Sequence, residues 1–181
     1  MHSEPAISLE VIPESNLETA KKTEILSLCS NAYGIDFFPV MQSYGKPLTH
    51  ILLYLGEELV SHALWVTRLM QAGDSCIMKT AYVEAVATLP IHQGKGYATA
   101  VMTRLEEEVQ DYDIAALSPS DISFYERLGW RLWDGPLSFC KEGNITPTKP
   151  ESRVMIYFLP RTPDLDLGQP LSVEWRPGDI W

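Results

Sequence analysis

The spacing of apolar residues along the chain predicts an alternation of helices and strands. Over residues 15–34 apolar side chains recur at roughly helical intervals, which indicates a helix that Ser15 or Asn16 caps and Gly34 ends. Two β-rich runs then occupy residues 49–70 and flank a Gly-Glu-Glu sequence, a pattern typical of a hairpin. A helix followed by a pair of strands is therefore predicted for this part of the chain.

A strand, a glycine turn and a helix follow in direct succession. Residues 76–89 form a β-rich run that Pro90 ends, and two glycines occupy the turn after it. Acidic residues 106–108 are expected mostly to face water. The apolar residues after the turn are four positions apart, which places them on one face of a helix: Tyr97, Val101, Leu105 and Val109.

The remaining residues are predicted to form two short strands, one helix and two loops. The apolar runs 113–119 and 153–160 indicate the strands, and residues 120–130 indicate a capped helix closed by a glycine. Polar residues and prolines predict a loop over residues 141–152 and over most of residues 160–170.

Length and composition indicate one domain, residues 1–181. A chain of 181 residues with 45% hydrophobic and 21% charged residues is long enough to bury one sizeable hydrophobic core and too short to form two well-packed domains. The N-terminus lacks a signal-peptide pattern, and no apolar stretch reaches membrane-spanning length. We therefore expect a soluble, cytoplasmic protein with no membrane partner.

The cysteines predict neither a metal site nor a disulfide framework. Cys29, Cys76 and Cys140 show no CxxC spacing and have no nearby histidine pair. Buried free thiols are the simpler interpretation.

The net charge narrows the choice of partner. A formal charge of -10, with only 14 Lys and Arg residues, argues against nucleic acid, whose phosphates need a basic face. The same acidity permits a cationic ligand to be steered toward the protein.

Residues 93–98, with the sequence Gln-Gly-Lys-Gly-Tyr-Ala, indicate an anion site. A Walker P-loop needs Ser or Thr after Gly-Lys, and Gly96 follows Lys95 here. A Rossmann fingerprint needs three glycines, and this turn has two. Small residues between a strand and a helix instead let successive backbone N–H groups and the helix N-terminus face a pyrophosphate.

This turn, Gln-x-x-Gly-x-Ala, resembles the phosphate-binding motif of the GNAT superfamily of N-acetyltransferases, (Gln/Arg)-x-x-Gly-x-(Gly/Ala). The strand "YVEAVATLP" before it and the later "FYERLGW" strengthen the resemblance. It implies an α/β fold with a central, mixed, mostly antiparallel, splayed sheet flanked by helices. It also implies acetyl-CoA as co-substrate and no metal. The implied cofactor-binding residues are Val86, Gln93, Gly94, Lys95, Gly96, Tyr97 and Ala98.

A closer similarity is to the aminoglycoside 2'-N-acetyltransferases. "AYVEAVAT", "ALSPSDISFYERLGW", the early "GIDF" and the ending "WRPGDIW" resemble features of that family. The resemblance implies acetylation of the 2' amino group of a small cationic aminosugar antibiotic, which confers resistance.

Three departures from that family leave the particular antibiotic open. The interval from Ser118 to Tyr125 is two residues shorter than expected, an acidic residue is replaced near Val40 and Met41, and an acidic loop is reduced to Glu151. A substrate with fewer ammonium groups than gentamicin or tobramycin, such as kasugamycin, would tolerate these losses.

Two residues are candidates for proton transfer. Glu84, on the strand, is either a satisfied structural carboxylate or the general base that an incoming ammonium group requires. Tyr125 is either a core-edge tyrosine or, as the resemblance implies, the donor to the departing CoA thiolate. The backbone of Val86 would pair with pantetheine amides as an added strand does, and its N–H could polarise the thioester carbonyl.

Acidic groups are the candidates for substrate binding. The resemblance places Asp36, Glu84, Glu151 and Asp179 there, together with the terminal carboxylate of Trp181, in a tail anchored by burial of Trp175 and Trp181. His62, within "VSHALWV", is predicted to be a buried, hydrogen-bonded histidine.

Two other functions remain open. The chain could be a GNAT enzyme that acetylates another primary amine, such as a polyamine, an amino acid or a protein N-terminus. It could also be a non-catalytic acyl-CoA-binding sensor, which the presence of both Glu84 and Tyr125 disfavours. The oligomeric state is left open, a homodimer included.

Overall fold

The computed structural model describes residues 5–181, which form four α-helices, ten strands and two 3-10 turns. The helices are α1 (Thr19–Tyr33), α2 (Phe38–Ser43), α3 (Tyr97–Glu108) and α4 (Ile122–Arg127), and the turns are Glu14–Asn16 and Pro90–His92. The strands are β1 (Ile7–Pro13), β2 (Leu48–Leu55), β3 (Glu58–Ala72), β4 (Met78–Thr88), β5 (Ile114–Leu117), β6 (Arg131–Leu132), β7 (Leu137–Lys141), β8 (Asn144–Pro147), β9 (Met155–Phe158) and β10 (Leu171–Glu174). The fold is thus the expected mixed α/β class, a mostly antiparallel sheet flanked by helices.

The described chain separates into two compact units, each built from two segments. The first unit comprises residues up to 66 and 84–107, and the second comprises residues 67–83 and 108–181. Strands β3 and β4 therefore contribute residues to both. In the part of the chain that the structure describes, no helix has the length and apolar character needed to span a bilayer.

In the first unit, β1, β2 and the start of β3 form an antiparallel meander. Ile7 pairs with Leu55 across β1 and β2, and Leu48 pairs with Val66 across β2 and β3. The turn between β2 and β3 contains Gly56 at a φ of 63°, a conformation that glycine adopts without strain. The predicted hairpin is confirmed.

The predicted C-terminal end of helix α1 is confirmed, but the predicted N-cap is wrong. Gly34 closes the helix in the left-handed conformation, and its N–H donates to the Ser30 carbonyl. Ser15 and Asn16 instead belong to a separate 3-10 turn, and Glu18 is the N-cap residue. The reason is an extended backbone at Leu17 and Glu18, which separates the turn from the helix.

Strands β4 and β3 are neighbours in the sheet, and the other strands of the second unit pair on either side of them. β4 pairs in parallel with β5 from Thr80 to Tyr82, and β9 pairs antiparallel with β5 and β6. β10 pairs antiparallel with β3 and in parallel with β7, which forms a hairpin with β8.

That last hairpin corrects the prediction of a loop over residues 141–152. Glu142 and Gly143 both have positive φ, 52° and 81°, the backbone of the turn type that matches strand twist in two-residue hairpins. The turn therefore continues β7 into β8 even though β8 is exposed throughout. The other predicted loop is confirmed, because residues 160–170 form neither helix nor strand.

Candidate active site

Strand β4 carries Glu84 at a point where its backbone bulges. Ala85 has a φ of 51°, a region that non-glycine residues seldom occupy in a strand. Glu84 and Val86 are half-buried, while Val83, Ala85 and Ala87 are buried. The side chains on either side of the bulge are thus the ones that retain contact with solvent.

Side chains of the same unit hold this bulge by its carbonyl groups. His62 Nδ1 donates to the Ala85 carbonyl at 2.9 Å, and the Tyr33 hydroxyl donates to the Val86 carbonyl at 2.9 Å. The Ser61 hydroxyl donates to the Ala87 carbonyl at 3.2 Å. Three successive carbonyls of β4 are therefore fixed by residues from α1 and β3.

The sequence analysis predicted one of these supporting residues and missed another. His62 is fully buried and hydrogen-bonded, as predicted. Tyr33 was missed, because the spacing of apolar residues in α1 does not reveal a contact with a strand more than fifty positions away. Its position just before the "GIDF" segment was the available signal.

The glycine turn lies at the end of β4. Gly94 and Gly96 have φ values of 74° and 84°, and a Cβ built on either glycine meets no heavy atom within 4 Å. Residues 93–96 are exposed, and α3 begins directly after them at Tyr97. The turn is therefore open to solvent and lies at a helix N-terminus, where backbone N–H groups and the helix dipole favour anions.

Gln93 anchors the turn rather than extending freely from it. Its side-chain amide donates to the Thr88 carbonyl at 3.2 Å, at the last residue of β4. Next to it His92 contacts Glu58, with Nε2 and Oε2 3.3 Å apart, and packs edge-on against the Tyr97 ring. His92 is a supporting residue that no sequence pattern indicated. The adjacent Lys95 is exposed.

Asp36 lies in the short segment between α1 and α2. It is exposed, and one carboxylate oxygen accepts a hydrogen bond from the Phe38 N–H at 3.1 Å. The ring of Phe37 stacks on Tyr33, with centroids 4.9 Å apart. Because Tyr33 also bonds to Val86, the loop that carries Asp36 is attached to the strand that carries Glu84.

Tyr125 belongs to the second unit and is almost fully buried on α4. The helix is capped by Asp121, whose carboxylate accepts from the Phe124 N–H. Burial, followed by the negative charge of Asp121, raises the pKa of Tyr125 to about 12. The phenol is therefore neutral, with its proton in place, at physiological pH.

The end of the chain is fixed around the buried Arg68. Its guanidinium donates to the Glu174 carbonyl at 2.6 Å and to the Ile180 carbonyl. Arg68 and Arg176 both contact the ring of Tyr82, at 5.0 and 5.4 Å from its centroid.

The tail contains one buried tryptophan, not two. Trp181 is 6% exposed, as predicted, whereas Trp175 is 40% exposed, so the prediction that both are buried is wrong for Trp175. Trp175 is instead covered on one face by the Lys141 ammonium, 3.8 Å from the ring centroid. Asp179 is exposed, and its carbonyl accepts from Arg176 Nε at 2.5 Å.

The predicted site residues divide between the two units. The first holds Asp36, Glu84, Val86 and residues 93–98, which the bulged strand and the turn bring together. The second holds Tyr125, Glu151, Asp179 and Trp181. Glu151 is exposed in the segment that joins β8 to β9.

Comparison with known sequences identifies the family of this chain. Residues 15–133 match the acetyltransferase (GNAT) domain family. A protein of Mycolicibacterium fortuitum named aminoglycoside 2'-N-acetyltransferase is 35% identical over 177 residues, which cover 94% of this chain and 90% of that protein.

Solved structures resemble the fold at low sequence identity. Escherichia coli ElaA is 14% identical with a TM-score of 0.61, over 83% of this chain and 98% of that one. The ribosomal-protein-S18-alanine N-acetyltransferase of E. coli is 14% identical with a TM-score of 0.54, over 89% and 97%. Mycobacterium abscessus Eis1 is 18% identical with a TM-score of 0.59 over 74% of this chain, which spans only 32% of Eis1.

Proposed function

Because the chain belongs to the GNAT family of acetyltransferases, whose members use acetyl-CoA, we propose that it acetylates an aminoglycoside at its 2' amino group and thereby confers resistance. The observation that carries most weight is the continuous segment from β4 to α3, in which a half-buried carboxylate at a bulge leads into an open glycine turn and a helix N-terminus. The choice of substrate class rests on the similarity to the M. fortuitum protein over nearly the whole chain.

The glycine turn would hold the pyrophosphate of the co-substrate. Gly94 and Gly96 leave the space beside the turn open, so backbone N–H groups of residues 94–98 can approach phosphate oxygens closely. Lys95 adds a positive charge, and Gln93 keeps the turn attached to β4. Acetyl-CoA, when bound, supplies the thioester whose acyl group is transferred.

Glu84 would act as the general base. An aminoglycoside amine is mostly an ammonium ion at neutral pH and must lose a proton before it can attack. Glu84 is half-buried, so a proton can reach it directly or through one water molecule. The N–H of Val86 would donate to the carbonyl that undergoes attack, and the hydrogen bond from Tyr33 to the Val86 carbonyl would hold that part of the backbone in place.

Tyr125 would serve as the acid. Burial and Asp121 raise the pKa of Tyr125 to about 12, which keeps its proton available at physiological pH. A phenol with this pKa holds its proton more tightly than a thiol of ordinary pKa, about 8.5, does, so Tyr125 would stabilise the departing thiolate by donating a hydrogen bond to it.

Exposed carboxylates would recognise the ammonium groups of the substrate. Asp36, Glu151 and Asp179 are exposed, and Trp181 anchors the tail that carries Asp179 by burying its indole. The few acidic groups favour an aminoglycoside with few ammonium groups, such as kasugamycin.

A thiol-release assay tests the proposal. The purified protein, acetyl-CoA and one amine at a time, namely gentamicin, tobramycin, kasugamycin, spermidine or a free N-terminal peptide, should release CoA only with an aminoglycoside. Tandem mass spectrometry should then place the acetyl group on the 2' nitrogen. Release only with spermidine or the peptide would refute the substrate assignment, and acetyl-CoA binding without any release would indicate a sensor.

A further inference from the structure

The peptide group that joins Ala85 to Val86 connects the β3 side of the bulge to the opposite edge of β4. In a planar trans peptide the carbonyl and the N–H point in opposite directions, so the Ala85 carbonyl and the Val86 N–H face opposite sides of β4. The carbonyl faces β3, because His62 Nδ1 on that strand donates to it at 2.9 Å. The Val86 N–H therefore points to the edge of β4 that faces away from β3.

A second contact agrees with this orientation. The backbone groups of successive residues in a strand face alternate edges, and the carbonyls of Ala85 and Ala87 both accept hydrogen bonds from β3 side chains. The Val86 carbonyl, between them, accepts instead from the Tyr33 hydroxyl of α1 at 2.9 Å. Val86 thus presents its backbone groups on the side of β4 away from β3.

The hydrogen bonds of His62 determine which of its nitrogens carries the proton. The Ala85 carbonyl can only accept, so Nδ1 of His62 carries a proton, and the Cys29 thiol lies farther from it, at 3.7 Å. In a neutral imidazole the other nitrogen, Nε2, is then an acceptor. It lies 3.0 Å from His50 Nδ1, which therefore donates to it. Two successive hydrogen bonds thus lead from His50 through His62 to the Ala85 carbonyl.

Both imidazoles are neutral at physiological pH, as this assignment requires. Burial lowers the pKa of His62 to about 3, and the neighbouring His50 acts in the same direction. Burial also lowers the pKa of His50 to about 4. His62 is 0% exposed, so its ring is too deeply buried to touch a substrate and can act only through the residues that it contacts.

A hydrogen bond accepted by an amide carbonyl makes the N–H of the same amide a stronger donor. Hydrogen bonds in series polarise one another, and each is electrostatically stronger in a buried environment than in water. His62 therefore acts on the Val86 N–H in two ways. It strengthens the N–H as a donor, and it holds the plane of the peptide, which fixes the direction in which the N–H points.

We propose that His62 is a positioning residue for acetyl transfer, which aims the Val86 N–H at the thioester oxygen and strengthens the hydrogen bond donated there. The inference rests on the acetyl transfer proposed above and on no particular amine. When the amine nitrogen bonds to the thioester carbon, an electron pair of the C=O bond moves to the oxygen, and the N–H stabilises the negative charge. When the C–S bond breaks, the C=O bond re-forms and the sulfur leaves with its electron pair. Neither histidine gains or loses a proton.

A neighbouring contact provides a matched control. The Ser61 hydroxyl donates to the Ala87 carbonyl at 3.2 Å, from the same strand as His62 and with the same 0% exposure. The amide that contains the Ala87 carbonyl has its N–H on Thr88. Ser61→Ala therefore removes a buried hydrogen bond to β4 from an amide other than the proposed donor.

Two variants of His62 separate its hydrogen bond from its packing. Asparagine and leucine have the same branched shape, but only asparagine has an N–H, at the same distance from the backbone as Nδ1, that can donate to the Ala85 carbonyl. Folded His62→Leu should lose about ten- to hundredfold in kcat, while its Kd for acetyl-CoA changes by less than about threefold. His62→Asn should regain most of that kcat, and Ser61→Ala should stay within about twofold of the native chain.

The kcat values are measured with whichever amine of the thiol-release panel the native chain acetylates, and circular dichroism checks the fold. Equal kcat in folded His62→Asn and His62→Leu would overturn the proposal, because a role in packing alone predicts that result. A loss in Ser61→Ala as large as that in His62→Leu would overturn it as well.

Nuclear magnetic resonance of the 15N-labelled protein at pH 7 tests the inference without turnover. Nδ1 of His62 should carry the proton and Nε2 should not, and the opposite assignment would overturn the proposal. Addition of acetyl-CoA should shift the Val86 amide proton downfield in the native chain and in His62→Asn, and less in His62→Leu. An equal shift in all three, or none in the native chain, would also overturn it.

The two proposals can fail separately. A native chain that binds acetyl-CoA but releases no CoA with any amine would refute the proposed function, while the Val86 shifts still decide the role of His62. If His62→Leu does not fold, the protonation of His62 and the Val86 shift of the native chain decide the question.

Discussion

At Ala85 the backbone adopts a conformation that costs a non-glycine residue on the order of 1–3 kcal/mol. The bonds from His62 to Ala85 and from Tyr33 to Val86 offset that cost. The residues that support the bulge thus lie far from it in the sequence. Glu84 was accessible to inference because its strand resembles a family motif, whereas the supporting contacts depend on how β3 and α1 lie beside β4, which spacing alone does not specify.

The role of Glu84 can be tested by a change that keeps its shape. Glu84→Gln retains hydrogen bonding but not basicity, so turnover at neutral pH should fall by about two to four orders of magnitude. Alkaline pH should restore part of it, because the amine then loses its proton to solvent. Steady-state kinetics from pH 6 to pH 10 measure both effects. Unaltered acetyl-CoA affinity is the control, and a pH-rate profile equal to that of the parent would assign Glu84 a structural role.

His50 and His62 are both buried, and His50 Nδ1 lies 3.0 Å from His62 Nε2. These two histidines should make folding stability depend on pH. Both pKa values lie below the ordinary value of 6.5, at about 4 and about 3, so the unfolded chain binds protons first as pH falls. The stabilisation is complete above pH 6.5 and is lost as pH falls from there toward the folded-state values. Between pH 7 and pH 5 we expect a loss on the order of 2–4 kcal/mol in the free energy of unfolding.

Urea denaturation at several pH values measures this loss. His50→Gln is the matched variant, because an amide N–H can still donate to His62 while nothing at position 50 titrates. It should show about half of the pH dependence of the native chain. A free energy of unfolding that is equal at pH 7 and pH 5 would contradict the prediction.

The strand, turn and helix from β4 to α3 form the element that the sequence predicted best. Apolar spacing, Pro90 and paired glycines each act within a few residues, so the local sequence contains the whole signal. Strands β1, β6, β7, β8 and β10 were not predicted. β8 is exposed throughout and lacks an apolar face, and β10 is four residues long, so their identity as strands comes from the partners beside them.

A pair of glycine variants isolates the function of the turn. Gly96→Val should weaken acetyl-CoA binding, since a branched side chain at a φ of 84° strains the turn and occupies the open space beside it. Gly143→Val is the control, because its φ is 81° and it too has no neighbour within 4 Å, but it lies in the β7–β8 hairpin. The two variants should lose similar stability.

Isothermal titration calorimetry with acetyl-CoA separates the two variants. Only Gly96→Val should lose affinity, while Gly143→Val should bind as the native chain does. Equal affinity in both folded variants would remove residues 93–98 from the cofactor site.

For the whole molecule, a net charge of -10 should make encounter rates depend on salt. Between about 0.01 M and about 0.15 M ionic strength the Debye length shrinks from about 30 Å to about 8 Å, so attraction of a cationic aminoglycoside is screened. The kcat/KM for the aminoglycoside should therefore fall several-fold as ionic strength rises. The anionic acetyl-CoA should show the opposite trend in its own kcat/KM. Parallel trends for the two substrates would argue that overall charge does not steer either of them.

Strand β10 lies between β3 and β7, and it emerges from the ribosome after both. The bond from Arg68 to Glu174 spans 106 residues. During synthesis, the edges of β3 and β7 that pair with β10 therefore stay unpaired until β10 has been made. Other nascent chains could pair with those edges in the meantime. Completion of this part of the sheet is therefore a late step of folding, so translation speed and chaperone supply should affect the yield of this protein more than that of a chain whose neighbouring strands are consecutive.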